Sequence, residues 1–239
     1  MKKVKLLLIL FISFTLTGCT VDYNLLVNDK KEVEEVIKIA NSNEAILKNN
    51  ESVNLYLSEQ INVHKQIKLF DNYKFTKHVG KVSSYIVMER KYPSLKDYTG
   101  SPAFKNLFEN ATVIQNEEYT SFNTVGTYYY SNVYGEPEQP DPEFSMGDIN
   151  VKIKFYNKII DSNADKIDEN NNTLEWNITS KDLEKYIYFK ISNDKRYDII
   201  VLDFIMRNKM TFIISLGLLI SISLVVLLTH INFKKNNRI

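Results

Sequence analysis

Cysteine is nearly missing from this chain: Cys19 is the only one in 239 residues. An exported protein with one thiol forms no internal disulfide, so covalent stapling is excluded as a source of stability. Histidine is almost as scarce, with only His64, His78 and His230. No Cys/His spacing of a zinc site exists, and neither a metal nor a cofactor is expected. Glycine and proline number only 7 and 5, which leaves no flexible linker to divide the chain and no internal repeat. The Gly-x-Ser-x-Gly turn of a serine hydrolase is absent too. A Ser/His/Asp set can be assembled from distant positions in almost any sequence, so its possibility carries no weight, and the chain is expected not to be an enzyme. Acids, finally, are missing from both ends: none precedes Asp22 or follows Asp203. The six cations of the two ends leave 24 Lys+Arg against 29 Asp+Glu between them. A mildly acidic central region argues against a nucleic-acid partner, because phosphate binding needs clustered cations.

What the ends do contain are two membrane devices. Lys2, Lys3 and Lys5 precede a 12-residue apolar run, Leu6 to Thr17, which has the anatomy of a secretory signal and is too short to span. It closes on Leu16-Thr17-Gly18-Cys19, the pattern of a bacterial lipobox, so residues 1–18 read as a lipoprotein signal peptide and Cys19 as the site of acylation (palmitate). Near the other end Met210 to Ile231 is 22 residues without an acid or a lysine, about 33 Å as a helix and enough to cross roughly 30 Å of hydrocarbon. Lys195, Arg196, Arg207 and Lys209 precede it, and only Lys234, Lys235 and Arg238 follow it. Local cation counting therefore does not favour an inside tail, but the first export signal dominates. The expected layout is an ectodomain over 19–192, a juxtamembrane stalk over 193–209, a membrane helix over 210–231 and a cytoplasmic basic tail over 232–239. The place is the bacterial cell membrane, lipid-anchored and single-pass, with the ectodomain extracytoplasmic.

Between the anchors the periodicity alternates. Val21 to Val27 reads as a short strand. Val33, Val36, Ile37 and Ala40 recur at helical spacing and predict an amphipathic helix over Glu32 to Ala40. Residues 43–70 mix both periods. Ser83 to Tyr92 reads as a strand, and Ser101-Pro102 opens a helix with Ala103, Phe104, Leu107 and Phe108 on one face. Phe122 to Tyr130, Ile149 to Ile160, Thr173 to Asn177 and Tyr186 to Ile191 are strand-like. Val151, Ile153 and Phe155 alternate with Lys152, Lys154 and Tyr156, one face buried and one exposed. The prolines and acids of residues 136–143 read as a surface loop. The fold class is α+β, an antiparallel sheet with two or three helices on one face, plus a single C-terminal transmembrane helix.

The strand Val21-Asp22-Tyr23-Asn24-Leu25 beside the acylated cysteine, the run Ser162-Asn163-Ala164-Asp165, the segment Asn172-Thr173-Leu174-Glu175-Trp176-Asn177 and the terminal membrane helix together resemble the LppM-type lipoprotein domain family. The likeness would run from Cys19 to Ser192, with no alignable motif from Asn43 to Asn150. A glycine-containing turn common after the first strand is replaced here by Asn28-Asp29-Lys30-Lys31. The resemblance implies an α+β envelope domain, linked in some members to acyl-lipid or glycolipid binding.

Two clusters invite a functional reading. Asp161-Ser162-Asn163-Ala164-Asp165 copies the first ligands of a calcium loop, but Lys166, Asp168 and Asn172 stand where the loop needs glycine, an apolar residue and glutamate. A polar turn between strands explains these residues more simply. Tyr128, Tyr129 and Tyr130, with Trp176, form the candidate ligand surface, since amphipathic rings stack on sugars and rim lipid tails. The competing reading makes them sheet-packing residues. Cys19 to Tyr23 spans at most about 13 Å, so the fold begins almost at the headgroups. The expected partner is membrane lipid: a non-enzymatic, doubly anchored envelope lipoprotein binding a lipid or lipid-linked ligand. The alternative is a scaffold subunit holding other envelope membrane proteins, with Ser215, Gly217, Ser221 and Ser223 permitting close helix packing.

Overall fold

A computed structural model of the chain describes residues 20–48, 50–66, 70, 72–108, 110–125, 149–178 and 185–236. They fall into two compact units, divided between Lys195 and Arg196.

The first unit is mixed α and β, with mostly antiparallel strands in two sheets. Strand β1 (Thr20–Val27) turns back into β2 (Val33–Ser42), and β2 pairs along its whole length with β4 (Ser83–Tyr92). The edge beyond β4 is β3 (Lys74–Val79). On its other side β1 pairs in parallel with β7 (Ile149–Phe155), which is followed outward by β10 (Thr173–Ile178) and the short β9 (Lys166–Asp168). The order of this seven-stranded sheet is β3-β4-β2-β1-β7-β10-β9. A second sheet of four strands runs in the order β5 (Asn110–Gln115), β6 (Tyr119–Val125), β11 (Tyr188–Lys195), β8 (Asn157–Ser162).

Strand alternation supplies the core. Tyr23, Leu25 and Val27, Ile149, Val151, Ile153 and Phe155, and Leu174, Trp176 and Ile178 all point inward, as a period of two requires. The sheets meet through aromatic rings. Phe189 lies 4.8 Å from Phe155 and 5.0 Å from Phe122, centroid to centroid, and is fully buried. After β7 the chain turns at Tyr156 and continues as β8 in the other sheet, a corner of the kind that joins packed sheets. Asn172 pins that corner. At φ 51° it is in the left-handed region, and its amide donates to the carbonyls of Phe155 at 2.8 Å and Asn157 at 2.7 Å.

The helix expected over Glu32 to Ala40 is strand β2. Its inward positions are Val33, Glu35, Ile37, Ile39 and Asn41, and the carboxylate in their midst breaks the apolar alternation and leaves a false helical spacing. The stretch of mixed period resolves into helices α1 (Asn43–Leu47), capped by Ser42, and α2 (Val53–Gln66). Helix α3 (Leu95–Tyr98) follows β4, and α4 (Pro102–Leu107) begins with Ser101 as N-cap and Pro102 at its first position. Ala103, Phe104, Leu107 and Phe108 of that segment are all buried, as its spacing predicts.

The second unit is α5 (Tyr197–Arg207) and α6 (Lys209–Asn236), joined by Asn208. Within α6, Lys209–Leu227 is long and apolar enough to cross a membrane. The segment expected as a slack stalk is the end of β11 followed, after Arg196, by the α5 helix.

Candidate functional site

The seven-stranded sheet keeps one face open, and the residues alternating with the core there are polar. Across β2, β1, β7 and β10 one row reads Lys38, Asp22, Asn150, Asn177, and the next, over β1, β7, β10 and β9, reads Asn24, Lys152, Glu175, Lys166. The Asn150 amide donates to Asp22 at 3.3 Å, and the Lys38 ammonium lies 3.9 Å from the same carboxylate. Lys152 and Lys166 clamp Glu175 at 2.5 and 3.3 Å. Those two ammonium groups hold the Glu175 carboxyl below its ordinary range. Asp165 closes the side, accepting from the Asn177 backbone N–H at 2.7 Å and from Lys185 at 2.6 Å. Apart from Lys38 and Lys185, which stand at its margins as ion-pair partners, these residues line an open groove of about 450 Å³. Amides that both donate and accept, beside two paired cations, suit a ligand rich in hydroxyl or anionic oxygen. A smaller groove of about 360 Å³ lies at the β1–β2 hairpin, between Asn28 and Lys91.

A second polar centre is sealed in the core. Glu35 is fully buried. Tyr73 donates to its Oε2 at 2.6 Å, Tyr92 to the same oxygen at 3.0 Å, and Ser101 to Oε1 at 3.4 Å. Arg90, its cross-strand neighbour on β4, stacks over the Tyr92 ring at 4.8 Å. Burial pushes the Glu35 carboxyl up, against the pull of the three hydroxyls and Arg90. The same burial, with the charge of Glu35 beside them, raises the phenols of Tyr23, Tyr73 and Tyr98, and Tyr92 to about 12. With no water access, this cluster organises the joint between β2, β4 and α4.

Trp176, a sequence candidate, is among the residues lining the groove, although its ring lies in the core. It is 1% exposed, and its indole N–H donates to Asn163 Oδ1 at 2.9 Å. Asn163 also bonds Tyr188 N at 2.8 Å and the Tyr186 carbonyl at 2.8 Å, so it laces β10 to the start of β11. The calcium-like ligands are thus already engaged: Asn163 in this lacing, Asp165 with Lys185, and Asp161 with the Tyr188 hydroxyl at 3.3 Å. Among the described residues no group of three metal-ligating side chains occurs. Ser192-Asn193-Asp194-Lys195 has the spacing of a serine nucleophile and lysine base, a spacing that converges on a helix. Here it lies on strand β11, across a shift of register rather than on a helix, and Lys195 is held by Asp29 at 2.6 Å. Leu16, Thr17, Gly18, Cys19, Tyr128, Tyr129 and Tyr130 lie outside the described residues.

Of the ligand-surface candidates that the structure describes, only Trp176 lines the groove; its polar residues were not among them. Its residues come from β1, β7, β10 and β9, and β1 is separated from β7 by more than a hundred positions. The visible signal was the polar half of each alternation, Asp22 and Asn24, Asn150 and Lys152, Glu175 and Asn177.

No protein-family model matches the chain, nor does any curated protein. Among solved structures it has a distant likeness to the NMR structure of the folded domain of LppM from Mycobacterium tuberculosis, with a TM-score of 0.44 and 10% identity over 77% of this chain and 94% of that one.

Proposed function

We propose that the chain is a non-enzymatic cell-envelope lipoprotein, anchored by an acyl chain on Cys19 and by α6, whose groove receives the polar head of a lipid or lipid-linked sugar. One observation carries this reading. The chain enters the sandwich at Thr20, the residue after Cys19, at one end of β1, and leaves it at Lys195, bonded to Asp29 at 2.6 Å beyond the other end of β1. The buried Lys31 ammonium, bonded to the Ser192 carbonyl at 3.2 Å, fixes the same juxtaposition. A body tied to a bilayer at both ends of one strand lies on its side, with β1 along the surface. Asp22 and Asn24 of the groove are within about 17 Å of Cys19 along an extended chain, and so stand beside the headgroups.

The test is mass spectrometry of lipid retained by the full chain extracted from native membranes, compared with N150A/K152A and with a variant altered on the opposite side, such as Lys105→Ala. The proposal expects a specific lipid or glycolipid on the parent and on Lys105→Ala, and its loss from the double variant. Equal retention by all three, or none above background, refutes the groove. The alternative, a scaffold for other envelope membrane proteins, draws on α6. Gly217 faces open space there, with no atom within 4 Å of where its side chain would begin, and Ser221 folds its hydroxyl back onto the Gly217 carbonyl at 2.8 Å, leaving a smooth surface for a neighbouring helix.

A further inference from the structure

We propose that α5 is an interfacial helix whose apolar side is immersed in the headgroup layer of the bilayer. This rests on the reading that α6 spans the membrane. Ordinary surface helices bury an apolar stripe and turn polar residues to water. In α5 the buried positions are Ile199 and Asp203, one turn apart on a single side. Tyr197, Val201 and Phe204, all exposed and with Phe204 at 64%, recur at i, i+4 and i+7 and share another side, while Leu202 and Met206 stand beyond the exposed Asp198. Three large apolar side chains in line on one side make a patch that water does not tolerate without a partner.

The short connection to α6 selects the bilayer as the occupant. Asn208 alone separates α5 from α6, and it closes α5 tightly, its backbone and side-chain nitrogens both donating to the Phe204 carbonyl at 3.0 and 2.8 Å. Phe204 is six residues from Met210, and the whole of α5 is only about 16 Å long. Wherever α6 is inserted, the apolar arc is therefore held next to lipid, at a depth where Tyr197 matches the boundary between headgroup and water and Lys209 reaches phosphate. Lipid is present on every copy of the protein, which a second copy or another membrane protein is not.

The test uses the full chain with both anchors, reconstituted into vesicles of phosphatidylethanolamine and phosphatidylglycerol. Nitroxides are placed one at a time at Tyr197→Cys, Val201→Cys and Phe204→Cys, with Leu219→Cys as the control inside the span and Lys105→Cys, away from the groove, as the control in water. The unsubstituted chain corrects for any signal from Cys19. The proposal expects collisions with oxygen to exceed those with a water-soluble nickel chelate at 201 and 204, several-fold above Lys105→Cys and short of Leu219→Cys, with 197 intermediate at the headgroup boundary. Water-like values at 201 and 204, with Leu219→Cys in lipid, overturn it and leave the span standing. Shielding of the α5 labels from both reagents also overturns it, because protein then covers the face. A water-like Leu219→Cys removes the span and the interfacial helix together.

Discussion

At the scale of single residues, Glu35 determines more than any exposed side chain. It sits among Tyr23, Tyr73, Tyr92, Tyr98, Ser101 and Arg90, and burial holds its carboxyl above the ordinary value of 4.5. The folded state therefore keeps a proton that the unfolded state has released. Stability falls as the pH rises through and above the ordinary carboxylate range, and the loss ends once the folded-state value is passed. Denaturant titrations from pH 4.5 upward should show this decline in the parent, and a much flatter profile in Glu35→Gln, which keeps the hydrogen-bonding shape without the charge. An unchanged slope in Glu35→Gln would mean that another group titrates. Glu35→Ala strands the hydroxyls of Tyr73 and Tyr92 beside a cavity and should cost about 3 kcal/mol. The acids held low by partners, Asp29 and Glu175 among them, act the other way and lower down, losing their contribution only as the pH falls below their ordinary values of 3.8 and 4.5. Asn172 is the second decisive residue. Asn172→Ala loses both bonds to the corner while keeping a left-handed backbone, and equilibrium unfolding should register about 3 kcal/mol; Asn172→Gly, free of the backbone strain, should lose measurably less.

At the scale of elements, the aromatic seam between the sheets carries the fold. Phe189→Ala should destabilise by about 3–5 kcal/mol in chemical denaturation, because its ring contacts both Phe155 and Phe122 and neither sheet can close the gap alone. Elements whose local pattern matched their burial were legible in the sequence. The alternation of Val151, Ile153 and Phe155 with lysines marked β7, and Ser101-Pro102 marked α4. Strand β2 was not legible, because two of its five inward positions are the polar Glu35 and Asn41, the glutamate satisfied by groups from β4, the N-cap of α4 and the segment before β3. Helix α2 hid for a related reason: its buried side includes His64, bonded to the Gln60 carbonyl at 2.7 Å and set against Phe70 and Phe75. Edge strand β3, with only Phe75 half-buried, gave no alternation to read. The groove was invisible for a topological reason, since the parallel pairing of β1 with β7 cannot be inferred from either strand by itself.

At the scale of the whole molecule, the position of the two chain exits is the main finding. Short distance in sequence from Cys19 to Tyr23 already implied a domain close to the headgroups. It did not imply orientation, because the end of the sandwich at which the chain leaves depends on β11 running towards the β1–β2 hairpin, where Lys195 meets Asp29. On the proposed double anchoring at Cys19 and α6, that arrangement lays the domain on its side, with its polar groove near the membrane surface. The most direct measurement is the height of the two ends of β1 above the bilayer. Donor fluorophores at Glu44→Cys, beyond the Thr20 end, and Lys30→Cys, at the hairpin, are read separately against acceptor-labelled lipid headgroups in vesicles holding the full chain. A domain on its side gives the two sites equal heights to within a few ångström. A domain standing on its N-terminal anchor puts Lys30 roughly 25 Å higher, the length of an eight-residue strand, and that result would contradict the account.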